Sequence, residues 1–184
     1  MILSIPYQTF EASNIRLLPF QHDKHVKNIA RLSYNDNSVD LHDISILSPP
    51  VKVIDYNTDS SRLRLDLSEQ IHFQNKLNTI QEYLIRTITH LQQNLLGINN
   101  HTIESIRELF YLLLDNSVLS LYIFSSTLIK KEDGNMCKIT ELKAGDVIRL
   151  VIRFQGLLQV QNKYGLRLRL QHSSPSIWYL SGNS

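Results

Sequence analysis

The spacing of the apolar residues changes twice along this chain, and this limits the folds open to it. Residues 62–67 read Arg-Leu-Arg-Leu-Asp-Leu, a strict two-residue alternation that predicts a half-buried β-strand. From Phe73 to Leu95 the apolar residues recur instead every three or four positions, as on one face of a helix. Residues 166–170 then return to strict alternation. This order of strands, helices and strands disfavours a doubly wound α/β sheet, in which the two element types alternate.

Residues 38–67 predict the first three strands, joined by short connections. The third strand alternates most clearly, with three leucines on one side and Arg62, Arg64 and Asp66 on the other. Residues 57–61 are short and polar, which favours a turn because such side chains bond to their own backbone. Residues 1–30 keep no period, so we predict an irregular N-terminal arm there, with room for one short strand.

Residues 70–115 predict a helical insertion of two helices. Gly97 follows the first apolar stripe and is well placed to end that helix. Thr102 is a suitable N-cap for a second helix, which we expect over Ile103 to Asp115. The apolar stripes of both helices are typical of core packing.

Residues 117–171 predict three closing strands, and residues 172–184 a polar tail. The first, from Val118 to Phe124, is apolar on both faces, as in a central strand. Gly156 lies within the long second strand and indicates a bulge or bend. The whole chain, 1–184, is therefore expected to form one mainly β, α+β domain. The fold that fits best is a barrel of the oligonucleotide/oligosaccharide-binding (OB) type, with a helical insertion after its third strand.

The composition excludes several classes of protein. With 42% hydrophobic and 20% charged residues, the chain resembles an ordinary globular domain rather than a disordered one. No apolar run approaches the roughly 20 residues of a membrane span. The single cysteine, Cys137, excludes an intramolecular disulfide and favours a reducing, intracellular location. We find no catalytic, metal-binding or cofactor motif, and the sequence predicts a protein that is not an enzyme.

Basic residues are concentrated at the C-terminal end. Residues 117–184 hold nine lysines and arginines against four acidic residues, whereas residues 1–116 hold ten against thirteen. A basic segment indicates an anionic partner, although a solvated surface of mixed charge is an equally good interpretation of composition alone.

Arginines recur at every second or fourth position in three of the predicted strands, opposite rows of apolar residues. On a barrel the apolar rows face inward, so the arginines should face outward, with aromatic residues on or beside the same strands. Single-stranded nucleic acid binds where cations meet phosphates and flat rings stack on bases. The alternative is that these arginines only keep exposed strands from pairing with other chains. The predicted binding residues are Arg62, Arg64, Arg149, Arg153, Arg167, Arg169, Lys130, Lys131, Lys163, Tyr56, Tyr122, Phe154, Tyr164 and Trp178.

Several short segments resemble the single-stranded DNA-binding proteins of the phage type that large nucleocytoplasmic DNA viruses also carry. The run 145–157, with its Phe-Gln-Gly sequence, and the turn 163–166, with Tyr164-Gly165-Leu166, are similar to that family's closing hairpin. The segments 30–36 and 64–68 are similar to its opening strands. The resemblance covers about residues 30–171.

The resemblance implies an OB-type barrel that coats exposed DNA strands, largely regardless of sequence, during viral genome replication or recombination. The implied location is the host nucleus or a viral replication compartment, with replication proteins as further partners. The sequence does not determine whether the protein prefers DNA or RNA, or whether it forms a homo-oligomer. A different interpretation is a structural or adaptor protein that binds a protein partner through its barrel and helical insertion.

Overall fold

One large mixed β-sheet of thirteen strands organises the part of the chain that the computed structural model describes, residues 3–22, 24 and 28–182. The described chain is mainly β, with two α-helices. The first seven strands are β1 (Ile5–Pro6), β2 (Ile15–His22), β3 (Asn28–Asp36), β4 (Val39–Leu41), β5 (Ile44–Leu47), β6 (Val51–Asn57) and β7 (Arg62–Asp66). The helices α1 (Ile71–Leu96) and α2 (Ile103–Leu109) follow. The last six strands are β8 (Leu114–Asp115), β9 (Val118–Tyr122), β10 (Leu128–Lys130), β11 (Met136–Lys138), β12 (Val147–Asn162) and β13 (Gly165–Ser181).

Strand β12 lies at the centre of the sheet, with hydrogen-bonded partners on both of its edges. Along one edge it pairs with β13 throughout, from Val147 to Asn162. Along the other edge it pairs in turn with β6, β5 and β3, so that strands from the first third of the chain dock on it. Its apolar side chains Ile148, Leu150 and Ile152 are fully buried in the core.

Gly156 lies where β12 changes partners. The pairing with β5 ends at Phe154, and the pairing with β3 begins at Gly156 opposite Arg31. The ladder to β13 shifts register between these same two residues of β12. A Cβ atom at position 156 would lie 2.6 Å from the carbonyl oxygen of Ala30, so only glycine permits this close crossing of the two backbones. The predicted bulge is confirmed.

Helix α1 packs its apolar stripe against the sheet. Its buried side chains include Phe73, Leu77, Ile80 and Leu84. Gly97 ends the helix in the left-handed conformation, at φ +66°, as predicted for a C-cap. Neither helix in the described residues is both long enough and apolar enough to span a membrane.

The N-cap predicted for α2 is confirmed, but its length is not. Thr102 and Ser105 form a reciprocal capping box, in which each side chain accepts from the other residue's backbone N–H. The helix ends at Leu109 instead of Asp115. Phe110 and the residues that follow it turn back toward β13, and Tyr111 N–H donates to the carbonyl oxygen of Leu168 at 2.9 Å.

The sheet is open. Strand β9 approaches β13, but no ladder joins them among the described strands. They are linked instead by a side chain, since Tyr122 N–H donates to Nε2 of His172 at 3.1 Å. The predicted class, mainly β with a helical insertion, is confirmed, and the helices lie between β7 and β8. The predicted barrel is not confirmed, because the sheet is not closed and a side-chain hydrogen bond, not a ladder, joins β9 to β13.

The predicted N-terminal arm is partly right: residues 3–14 are mostly irregular, with the two-residue β1, but the described residues from 15 to 30 belong largely to two long strands. Strand β2 pairs with β3, and both reach into that segment. The ladder is interrupted between Leu17 and Phe20, which accommodates Pro19 because proline has no N–H to donate. Because of this interruption, the apolar residues of β2 do not alternate regularly, and the sequence pattern does not predict the strand.

The predicted tail at 172–184 is wrong, up to residue 182 where the description ends. Strand β13 continues to Ser181, which pairs with Val147. A register shift adds one residue to β13 between Ser173 and Ser176, so Leu170 and Ile177 are both buried although seven positions separate them. Strict alternation is lost for that reason.

The hairpin between β10 and β11 was not predicted, because its three-residue strands are too short to show a period. One further local prediction needs correction. Strand β9 was predicted to be apolar on both faces. It buries Leu119 and Leu121, whereas Tyr122 is exposed, because one face of β9 is open to solvent.

We predict that Gly156→Ala lowers the free energy of unfolding by about 1–3 kcal/mol, because the new methyl group must displace the backbone of β3. Thermal or urea unfolding measures the loss. Gln155→Ala, at the neighbouring half-buried position, is the control and should change stability much less. Equal stability of the two variants would contradict the close crossing of β12 and β3.

Candidate nucleic-acid interface

A cleft of about 660 Å³ lies between β7, β9 and β13, and it gathers arginines and exposed aromatic rings. We call it the arginine cleft. Its lining includes Arg62, Arg169, Tyr122 and Phe124, and none of its lining residues is acidic. The complete lining is Arg62, Tyr122, Ile123, Phe124, Thr127, Gln155, Leu158, Arg169, Leu170, Gln171, His172, Ser173 and Ser174. Arg62 and Arg169 take part in none of the ion pairs found among the described residues, and the acidic side chains nearby, Asp55 and Asp115, line adjoining pockets instead of the cleft.

Two rings stand at the mouth of the arginine cleft. The centres of the Tyr122 and Phe124 rings lie 5.3 Å apart in an edge-to-face arrangement. The two residues are 44% and 64% exposed, so flat faces of both rings are open to a stacked base. Strand pairing places Arg62 directly opposite Tyr122, and its guanidinium carbon is 5.9 Å from the centre of the tyrosine ring.

A second aromatic contact holds the two arginines of β13. The guanidinium carbons of Arg167 and Arg169 lie 4.6 Å and 4.5 Å from the centre of the Tyr111 ring. Arg167 also donates from Nε to the carbonyl oxygen of Leu109, the last residue of α2, at 3.1 Å. Arg167 therefore has a structural role at the negative end of that helix. Arg169 is exposed and keeps its hydrogen-bond donors available for a ligand.

Two of the predicted arginines are neutralised by carboxylates. Arg64 donates to Asp55 in a two-point contact, which holds the pKa of that carboxyl below its ordinary value. Nε of Arg153 lies 3.4 Å from a carboxylate oxygen of Asp43. These two pairs are poorer candidates for phosphate contacts, since a phosphate would have to compete with the carboxylate.

The tip of the β12–β13 hairpin presents a lysine and a tyrosine to solvent. Tyr164 is 80% exposed, and Nζ of Lys163 lies 4.8 Å from its ring centre. Gly165 has a φ of +106°, a conformation that the turn requires and that other residues rarely adopt. Arg167 and Arg169 follow directly along β13.

A separate groove of about 430 Å³ surrounds Trp178. We call it the tryptophan groove. Its lining residues are Leu47, Lys130, Lys131, Glu132, Arg149, Trp178, Tyr179 and Leu180. Lys130 and Arg149 pair with Trp178 from its two sides in the sheet, and Nζ of Lys131 lies 5.9 Å from the ring centre of Tyr179.

Two of the predicted stacking residues are unsuitable. Phe154 is fully buried, so its predicted role is wrong, because it shares the core-facing side of β12 with Ile152. The ring of Tyr56 is partly buried against the core, and its hydroxyl donates to the carbonyl oxygen of Ile123 at 2.8 Å. Both side chains therefore stabilise the fold.

Three residues of the site escaped the sequence analysis. Phe124 was expected beside these strands but not among the binding residues, although its position two residues after Tyr122 is a usable signal. Tyr111 was assigned to a helix that in fact ends before it. His172 was assigned to a tail, and no sequence signal places it against Tyr122.

His172 links β13 to β9 in its neutral form. Nε2 accepts from Tyr122 N–H, and Nδ1 lies 3.4 Å from the carbonyl oxygen of Leu170, to which it donates. Burial lowers the pKa of His172 below 6.5, and the nearby Arg62 and Arg169 lower it further. A proton on Nε2 would face the N–H of Tyr122, so protonation removes the link.

Among the described residues, no group of three or more histidine, cysteine, aspartate or glutamate side chains has the arrangement needed for a metal ion.

We predict that acid weakens the fold through His172. Because its pKa is lower in the folded chain, the unfolded chain binds the proton first, and stability falls as the pH drops below about 6.5. His172→Asn carries no titrating ring and should lose stability less steeply between pH values of about 7.5 and 5.5. Melting temperatures of both proteins across this range measure the difference. Parallel curves would contradict the proposed neutral link.

Comparison with protein-family models, with curated proteins and with solved structures finds no significant match to this chain. The assignment of a function therefore depends on the chemistry of the side chains described above.

Proposed function

We propose that this protein binds single-stranded DNA, largely independently of base sequence, along the arginine cleft. The cleft supplies the two groups that a single strand needs, cations for its phosphates and exposed rings for its unpaired bases. Arg62 and Arg169 are the phosphate contacts, and Tyr122 and Phe124 are the stacking rings. The binding step is non-catalytic.

The observation that carries this proposal is the uncompensated charge of the cleft. Its lining combines two arginines with polar, uncharged side chains such as Gln155, Gln171 and Ser173, and contains no carboxylate. Elsewhere, Arg64 and Arg153 face aspartates. A cleft whose charged side chains are all of one sign concentrates the electric field and raises the local concentration of an anionic ligand.

The proposal extends to the fold and to the setting. An open sheet that nearly closes at His172 is compatible with a partly open OB-type barrel, which commonly holds single strands on its surface. The resemblance of residues 30–171 to viral single-stranded DNA-binding proteins favours a role in viral genome replication or recombination, in the host nucleus or a viral replication compartment. Replication proteins would be its further partners.

The adaptor interpretation depends on an apolar helix face that is open to a partner. In α1 the apolar stripe is buried in the core of this chain, with Leu77, Ile80 and Leu84 fully covered.

The salt dependence of binding distinguishes the two functions, because the affinity for DNA falls steeply as the salt concentration rises and the affinity of an apolar interface does not. A titration with a fluorescent oligonucleotide at two salt concentrations, repeated with a duplex of equal length, tests the proposal. A duplex that binds equally well would contradict base stacking.

We predict that Arg62→Gln combined with Arg169→Gln lowers the affinity for a single strand at least about tenfold, because charge-assisted contacts to phosphates are lost. The slope of log affinity against log salt should fall by about 0.7 for each lost contact. Anisotropy of a labelled oligonucleotide gives both quantities.

Arg86→Gln is the matched control for charge. Arg86 is an exposed arginine of α1 that does not line the cleft, so its loss should leave the salt slope nearly unchanged. An equal effect of Arg86→Gln would mean that net charge, and not the cleft, attracts DNA.

We predict that Tyr164→Ala costs about 1–3 kcal/mol of binding without lowering the melting temperature, since the ring is 80% exposed. Tyr164→Phe keeps the flat face and should bind nearly normally. Oligonucleotide affinity and thermal unfolding are measured on the same preparations. A folded Tyr164→Ala variant with unchanged affinity would exclude the hairpin tip from the interface.

A further inference from the structure

The tryptophan groove contains cations without partners. Nε of Arg149 is buried, and among the described residues it is the side-chain polar atom that is buried without a hydrogen-bond partner. None of the ion pairs found in the described chain includes Arg149 or Lys130. A half-buried guanidinium without a carboxylate is costly, which favours an anionic ligand beside it. Glu132 is the one acidic residue in the groove lining.

The cations lie on both sides of a flat ring. Trp178 pairs with Arg149 on β12 and with Lys130 on β10, so the three residues form one row across the sheet. Neighbouring strands are about 4.8 Å apart, so the two cations are separated by about 10 Å at the backbone. A nucleotide within a strand has the matching chemistry, because it carries a planar base between two phosphates.

The tryptophan groove lies on the continuation of the arginine cleft. The two share strand β13, where the cleft lining ends at Ser174 and the groove begins at Trp178. Four residues of a strand span about 13 Å. The neighbouring β10 makes the same connection, because Thr127 lines the cleft just before that strand and Lys130 lines the groove at its end.

Trp178 faces away from the core on the same strand as Arg169. Ile177 and Leu170, their respective neighbours, are both buried. Nine positions separate the tryptophan from the arginine, an odd number that would place them on opposite faces of a regular strand. However, Arg153 pairs with Ser173 and Val151 with Ser176, so β13 has one extra residue between these pairs. This bulge brings Trp178 and Arg169 to the same face of the sheet.

We infer that the tryptophan groove is a second nucleotide subsite, in which the base stacks on Trp178 and the flanking phosphates contact Lys130 and Arg149. This inference rests on the proposed function and extends it, since one DNA strand would run along β13 from the arginine cleft to this groove. Linking two subsites on one strand raises the overall affinity without a new contact, provided that the strand is long enough to reach both.

The chain provides its own probe, because Trp178 is its single tryptophan. Its fluorescence should be quenched when a thymidine oligonucleotide of about 20 nucleotides binds, a length above the site size of one OB fold. Anisotropy of a labelled strand of the same length reports total binding independently. A thymidine trinucleotide, too short to reach both sites, should quench the same tryptophan only at much higher concentration.

Lys130→Gln tests the groove at an exposed position where folding is not at risk, and it should shift the trinucleotide quenching curve about 5- to 20-fold to higher concentration. Lys138→Gln is the matched control, since Lys138 is an exposed lysine of the adjoining β11 outside the groove lining. It should leave that curve in place. Trp178→Phe, followed by anisotropy, should bind nearly normally, whereas Trp178→Ala should weaken the oligonucleotide about 5- to 150-fold.

The outcomes separate this inference from the proposed function. Binding by anisotropy without a change in Trp178 fluorescence would overturn the second subsite and leave the arginine cleft intact. Absence of binding by anisotropy would overturn the proposed function itself. A response of Trp178 to an acidic peptide of glutamate and leucine, but not to the oligonucleotide, would assign the groove to a protein partner and overturn the inference.

Discussion

The pairing of β12 on both of its edges is the constraint on which the rest of this structure depends. One long strand holds β13 along one side and β6, β5 and β3 along the other. Both candidate binding surfaces are built on its hairpin partner β13, so their relative position is set by the β12–β13 ladder and its three register shifts. Gly156 stabilises this arrangement, because a Cβ atom there would lie 2.6 Å from the carbonyl oxygen of Ala30 on β3.

The electrostatic design separates two classes of arginine. Arg64 and Arg153 face carboxylates, and Arg167 holds the end of a short helix. Arg62 and Arg169 face aromatic rings and polar uncharged groups instead. Stacking on a ring orients a guanidinium without neutralising it, so these two arginines keep their charge for a ligand. They also favour the neutral form of His172, which couples the charge of the cleft to the link between β9 and β13.

Secondary structure was predicted most accurately where the spacing of the apolar residues is regular. Residues 62–67 have the expected faces, with Leu63, Leu65 and Leu67 fully buried, and helix α1 begins at Ile71, one residue after the start of the predicted helical insertion. The prediction was least accurate where bulges and short strands interrupt that spacing, as in the serine-rich part of β13. Among the site residues, the rows of arginine could be predicted from the local sequence pattern. Which arginines form ion pairs could not, because their partners, such as Asp43 for Arg153, are distant in sequence. Phe154 was misassigned although its parity with Ile152 already indicated the core.

The order in which the strands pair has a consequence for synthesis of the chain. Leu157 pairs with Ala30, and Ile152 with Ile46, so β3 and β5 must wait for partners that are synthesised more than about 100 residues later. Until then the edges of these strands that meet β12 are unpaired, and a contact pattern with such large sequence separations folds slowly. A nascent chain that has lost β12 through truncation would expose these edges to other chains and tend to aggregate. Whether a shortened form of the chain can be expressed therefore depends more on the presence of β12 than on the length of the deleted segment.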